Sequence, residues 1–390
     1  MKKMLMAATG IAAIGGITAV GSPVQAQEVE GFQLQIGGFY NALGIVRDQD
    51  EPSRALRTLE DADANRGDKI RRYDFSQRGR FAIEGSQTLD NGMTIGFHTE
   101  YEMQDGMANE RAYVFADGGF GRVQFGTMYS AAYLLHLTPP TAGWGIDDTD
   151  HDEAFASING LGYPASQPYF INRAMNITYL TPRFSGFQAG VTFTPDQQNR
   201  ENMNNRVVTN LSEQTAAGRL EADIDRDLQN IVGLGANYER SFDAFDLGLS
   251  ASVETGEWNH GAEQNLDGDD KRAWSASGGL FAGFGGLEAG VAYNWTNMGM
   301  SGFRQHTVTA GVTYTIDRFT FGPSYGNTWE KGGNSDERSI QVYELGATYA
   351  FAPGVNLVGS LEHARYDRGD LPSQFDGEGT AGLFGVQLTF

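Results

Sequence analysis

Between Arg72 and Gly85 the chain reads RYDFSQRGRFAIEG, and alternate residues fall into two unlike sets. One set is Arg72, Asp74, Ser76, Arg78, Arg80, Ala82 and Glu84; the other is Tyr73, Phe75, Gln77, Gly79, Phe81, Ile83 and Gly85. An extended strand sends successive side chains to opposite faces, so this period of two makes one charged wall and one largely apolar and aromatic wall. The stretch has no helical period.

The alternation recurs to the last residue. In 306–316, HTVTAGVTYTI, Val308, Ala310, Val312, Tyr314 and Ile316 oppose Thr307, Thr309, Gly311, Thr313 and Thr315. LEAGVAYNW, FQAGVTFT and GLFGVQLTF repeat the arrangement. The apolar faces often finish in Tyr, Trp or Phe, whereas a sandwich core would favour bulky aliphatics. A lipid-facing band with interfacial aromatic girdles has this pattern, and the Thr-, Asn- and Gly-rich faces suit a wet interior. Short connectors such as LDNG, DGGFG, PRFSG and FDAF alternate with longer polar ones near 48–68, 130–171, 195–227 and 258–271. Short turns on one side and long loops on the other describe an all-β fold, a transmembrane antiparallel β-barrel of about sixteen strands.

Composition narrows the alternatives. The 28 Lys and Arg against 49 Asp and Glu give a net charge of −21, which argues against nucleic acid as a main partner. With no cysteine, disulfides and thiolate chemistry are excluded. The first 26 residues have a basic start (MKK), a short apolar run and VQA before Gln27, the layout of a signal peptide cleaved at Ala26–Gln27. Residues 27–390 are then expected to form one domain. After residue 26 no apolar run is long enough to span a bilayer as a helix. The exported protein is therefore a membrane barrel or a secreted soluble β-sandwich binding protein.

Longer motifs tip the balance. SQRGRFAIEGSQTLDNGMTIGFHTEYE at 76–102, RAYVFADGGFGRVQFGTMY at 111–129, NITYLTPRFSGFQAGVTF at 176–193 and the terminal Phe390 occur in the order seen in Gram-negative general porins. The chain resembles that family. The resemblance implies a sixteen-stranded, usually homotrimeric channel without cofactor, seated in outer-membrane lipid and lipopolysaccharide. It implies passive diffusion of small hydrophilic solutes, with a substrate-specific channel for one nutrient class as the alternative. It also implies a third external loop, here 130–171, folded inward as a constriction, and makes Phe390 an assembly signal read by the barrel-insertion machinery. The second loop, near 104–109, is very short, so the latch that some relatives place over a neighbouring subunit is missing.

A lipid-facing arginine costs about 2–4 kcal/mol at mid-bilayer, so Arg72, Arg78 and Arg80 are expected to face the lumen. Facing them are expected the loop carboxylates Asp147, Asp148, Asp150, Asp152 and Glu153, with Asp74, Glu84, His98, Glu100 and Glu102 lining the pore. The alternative is a structural ladder of cross-strand ion pairs. His98, Glu100 and Glu102 share a face but stand too far apart along one strand for a single metal ion. Asp267, Asp269 and Asp270 resemble a calcium loop only in their carboxylates, without its full spacing or bidentate glutamate. No nucleophile elbow, P-loop or HExxH motif is present, so no enzyme activity is expected. The surplus of acidic groups at the constriction predicts moderate cation selectivity.

Overall fold

The computed structural model describes residues 31–50, 71–104, 109–146, 154–155, 164–168, 170–171, 173–197, 228–258, 272–299, 302–332, 337–367 and 377–390. The proposed signal peptide, the carboxylates at 147–153 and the aspartates at 267–270 lie outside them.

The strands are β1 (Gln33–Gln49), β2 (Tyr73–Thr88), β3 (Thr94–Glu102), β4 (Asn109–Gly118), β5 (Gly121–Met128), β6 (Ala174–Leu180), β7 (Phe187–Asp196) and β8 (Leu228–Ser241). They continue as β9 (Asp246–Trp258), β10 (Ala273–Phe284), β11 (Leu287–Thr296), β12 (Arg304–Ile316), β13 (Phe319–Lys331), β14 (Arg338–Ala352), β15 (Val355–Asp367) and β16 (Gly377–Thr389). A short helix, α1 (Ala131–Leu134), follows β5. Each strand pairs antiparallel with its sequence neighbours, and β1 pairs with β16. The result is one closed sixteen-stranded barrel with no free sheet edge, the arrangement a bilayer requires of strands.

Register follows from the two unlike faces, because a slip of one residue would exchange them. The outward set includes Leu234, Leu249, Leu280, Val291, Val312, Phe321, Leu345, Leu361 and Phe384, all exposed. Phe284, Phe319 and Phe351 stand toward the short turns, and Trp274, Tyr293 and Tyr343 toward the long loops. The inward set is threonine-rich: Thr178, Thr192, Thr307, Thr309, Thr313 and Thr328 are all buried.

The inward face is not uniformly polar, however. Leu43, Ile45, Ile340, Val342, Val358, Ala364, Tyr366, Ala381 and Leu383 form a buried apolar patch inside the barrel with Trp144, Ile146, Ala154 and Phe155. A second patch joins Phe170 and Ile171 to Ala174, Leu228, Ile231 and Ala273. In both, the segment between β5 and β6 supplies the covering side chains.

Candidate functional site

One wall of the interior is built on β2, β3 and β4. Pairing places Arg80 opposite Glu102, Glu84 opposite His98 and Glu100 opposite Arg111, so the charges meet across strands on the inward face. Glu102 receives both arginines of β2. Arg78 Nε lies 2.9 Å from its Oε1, and Arg80 Nε lies 2.6 Å from its Oε2. Arg80 also reaches Glu100 at 3.5 Å and Glu110 at 3.3 Å. Arg111 pairs with Glu100 and Arg173 with Glu110. His98 lies 3.4 Å from Glu84 and 3.6 Å from Glu100. Four arginines (78, 80, 111, 173) thus mesh with three glutamates (100, 102, 110), and His98 joins Glu84 to Glu100. Charges this poorly exposed persist only when paired, so the wall is a lattice of opposite charges with little net sign.

The first expected arginine does not join this lattice. β2 begins at Tyr73, and the Arg72 side chain is 82% exposed with Asp48, at 3.7 Å, beside it. It stands at the long-loop end, six residues, or about 20 Å, along the strand from Arg78. Asp74 is likewise apart, paired with Arg47 at 2.8 Å. Arg78, Arg80, Glu84, His98, Glu100 and Glu102 do come together.

The segment after β5 lies along the rest of the interior. Ser130 caps α1 by accepting from the Tyr133 N–H at 3.1 Å, and its hydroxyl donates to Glu254 at 2.6 Å. Ala131 N donates to Thr192 Oγ1, Leu137 N to Ser250 Oγ, Gly143 N to Thr348 Oγ1, Trp144 N to Ser360 Oγ and Gly145 N to Glu344 Oε1, at 2.7–3.1 Å. The acceptors belong in turn to β7, β9, β14, β15 and β14. Arg47 of β1 then donates to the Ala154 carbonyl at 3.2 Å. Backbone donors turned toward a barrel wall need such partners, and inward Ser, Thr and Glu side chains supply them.

Glu254 holds both limbs of this segment. Its second oxygen accepts from Phe170 N at 2.7 Å, and the residue is 0% exposed. His136 Nε2 lies 3.1 Å from Ser166 Oγ, joining the outgoing and returning limbs. Burial pushes the His136 imidazole down to about 4, so it is neutral near pH 7.

Sequence reasoning did not single out Arg47, Glu110, Arg111, Arg173, Glu254 or Glu344. Strand alternation around Arg111, Glu254 and Glu344 already places these charges on inward faces. The contacts of Glu110 and Arg173 depend on how the chain re-enters β6, where Arg173 has φ 63°. Among the described residues no group of three side chains could hold a metal ion.

A closed barrel with an apolar outer belt, a charged inner wall and a segment laid against its interior is an outer-membrane channel. A model of the Gram-negative porin family matches residues 7–369, and the chain belongs to that family. Family and fold point to a channel rather than an enzyme. An uncharacterised protein of Rickettsia conorii is 23% identical over 460 residues, covering 100% of both chains. A loop-deletion mutant of OmpT, an outer membrane protein of Vibrio cholerae, shares the fold with a TM-score of 0.57 at 9% identity, covering 93% of this chain and 100% of that one. An anion-selective porin from Comamonas acidovorans does so at 0.53 and 14% identity, covering 92% and 100%.

Proposed function

We propose that the protein is a passive diffusion channel for small hydrophilic solutes and ions, moderately selective for cations, with 130–171 as its constriction. One observation carries the ionic preference. Arg78 and Arg80 already pair with Glu102, and Arg80 with Glu100 and Glu110 as well, so the basic wall offers little net positive charge. The acidic run 147–153 lies between Ile146 and Ala154, both packed in the inner apolar patch. With both sequence neighbours held there, this reading assigns Asp147, Asp148, Asp150, Asp152 and Glu153 to the constriction, as the family resemblance implies. Charges on distant loops are screened over about 8–10 Å at physiological salt, so these five outweigh the rest of the acidic chain. The same reading takes residues 1–26 as a cleaved signal peptide and the assembled form as a homotrimer, both on family resemblance.

The test is the reversal potential across a planar bilayer in a salt gradient. Asp147→Asn with Asp148→Asn should lower cation preference. Asp267→Asn, Asp269→Asn and Asp270→Asn, on a loop assigned to the outside, should change it much less. Equal shifts for the two sets would leave only bulk charge and refute the constriction.

A further inference from the structure

At the long-loop rim of the outer surface, two cations meet across neighbouring strands. Pairing of β12 with β13 sets Arg304 opposite Lys331. Both side chains are exposed and share the face of Val308, Val312 and Ile316, the lipid-facing one. Like charges directly opposite across strands repel. Three other arginines at this rim have a carboxylate at hand: Arg72 with Asp48 at 3.7 Å, Arg365 with Glu378 at 3.5 Å, and Arg272 with Glu257. Among the described residues, neither Arg304 nor Lys331 has a carboxylate within the 4.0 Å of an ion pair. Glu337 lies next to Lys331 on the same rim, since Glu330 pairs with Arg338, and it balances only one of the two cations.

Beneath the two cations lies an aromatic platform. His306 stacks on Trp329 with centroids 5.1 Å apart and planes 8° from parallel, and Tyr293 Oη lies 2.7 Å from His306 Nδ1. Arg304 and Lys331 follow two residues further along their strands, about 7 Å nearer the long loops. Aromatic belts sit at the headgroup boundary of a bilayer, and cations just beyond them stand at the depth of lipid phosphates.

We propose that Arg304 and Lys331 form a binding site for the phosphate of an anionic lipid headgroup in the leaflet on the long-loop side. The occupant is a membrane lipid because the cations crown a lipid-facing aromatic platform, away from the lumen. Its phosphate supplies the negative charge that the neighbouring strands supply to Arg72, Arg272 and Arg365. His306, Trp329 and Tyr293 pack against the glycerol or sugar portion below. The proposal rests on the outer-membrane reading of the barrel.

The test places the purified barrel in nanodiscs of phosphatidylcholine with a minor fraction of phosphatidylglycerol and counts retained lipid by native mass spectrometry. Wild type should retain phosphatidylglycerol over phosphatidylcholine. Arg304→Gln and Lys331→Gln should each reduce retention roughly fivefold, and together about 25-fold. Arg365→Gln, which removes a paired arginine, should leave retention unchanged. Heat-modifiable migration confirms folding, and either single variant serves if the double variant fails to fold. Millimolar inorganic phosphate should not displace the lipid; if it does, the site takes free anions and the proposal is wrong. Equal retention by wild type and the variants also overturns it. A wild-type barrel that conducts ions yet retains no phosphatidylglycerol sinks this inference and leaves the channel reading standing.

Discussion

Glu102 shows how one residue sets the character of the charged wall. It accepts from Arg78 and Arg80 at once, so neutralising it removes one negative charge from beside two arginines in a narrow passage. Glu102→Gln should shift the reversal potential toward anions. Arg78→Gln with Arg80→Gln should shift it toward cations, because Glu102 loses both partners. Salt-gradient recordings on the two variants check this, and shifts of the same sign would show that the lattice does not set the preference. His136 carries a pH dependence. Its ordinary value of 6.5 is lowered to about 4 by burial, so the sealed segment resists protonation while an opened one does not. Above pH 6.5 both forms are neutral and the seal keeps its full stability; as pH falls toward about 4 the opened form binds the proton first and the seal weakens. Current noise from single channels should rise over that window, and His136→Gln should flatten the response.

Among the elements, the segment after β5 depends on wall strands that bring glycine to it. A Cβ on Gly279 would lie 2.0 Å from the Leu137 carbonyl oxygen, and one on Gly346 would lie 1.9 Å from that of Ala142. Backbone can rest against backbone there only without a side chain. Gly346→Val should therefore lift the segment, cost about 1–3 kcal/mol in urea unfolding, and alter conductance. Gly382→Val, at a position with open space around it, should do neither. Conductance unchanged in Gly346→Val would mean that the segment does not set the passage. These contacts also mark how far the sequence was legible. Strands, short turns and the charged faces of β2 and β3 follow from a period of two, a local property. Inward Leu43, Ile45, Ile340 and Val342 break the polar side of that period, and their reason lies about 100 or more positions away in Trp144, Ile146 and Phe155. The alternation at 72–85 likewise put Arg72 in line with Arg78 and Arg80, but it could not show that pairing leaves Arg72 outside the sheet at the rim. Nor could it show that the arginines of β2 share one glutamate, which depends on the register with β3.

At the scale of the whole molecule, the barrel closes where the chain ends. Phe390 exchanges two backbone hydrogen bonds with Gly38, at 2.9 and 3.1 Å, beside the β1–β16 seam. Deleting Phe390 removes both and, on family resemblance, an assembly signal. It should lower the yield of folded barrel in the membrane while sparing the conductance of the molecules that do assemble; normal insertion rate and yield would contradict this. The whole barrel has one principal physical consequence: polar solutes cross the bilayer through water enclosed by a greasy belt, past a segment pinned inside by Glu254, Ser250, Thr348 and Ser360. Single-channel recording of the purified, heat-modifiable barrel in a planar bilayer tests that consequence most directly. Discrete, ohmic current steps with a cation-favouring reversal potential are the predicted result, and folded barrels that insert yet pass no current would contradict it.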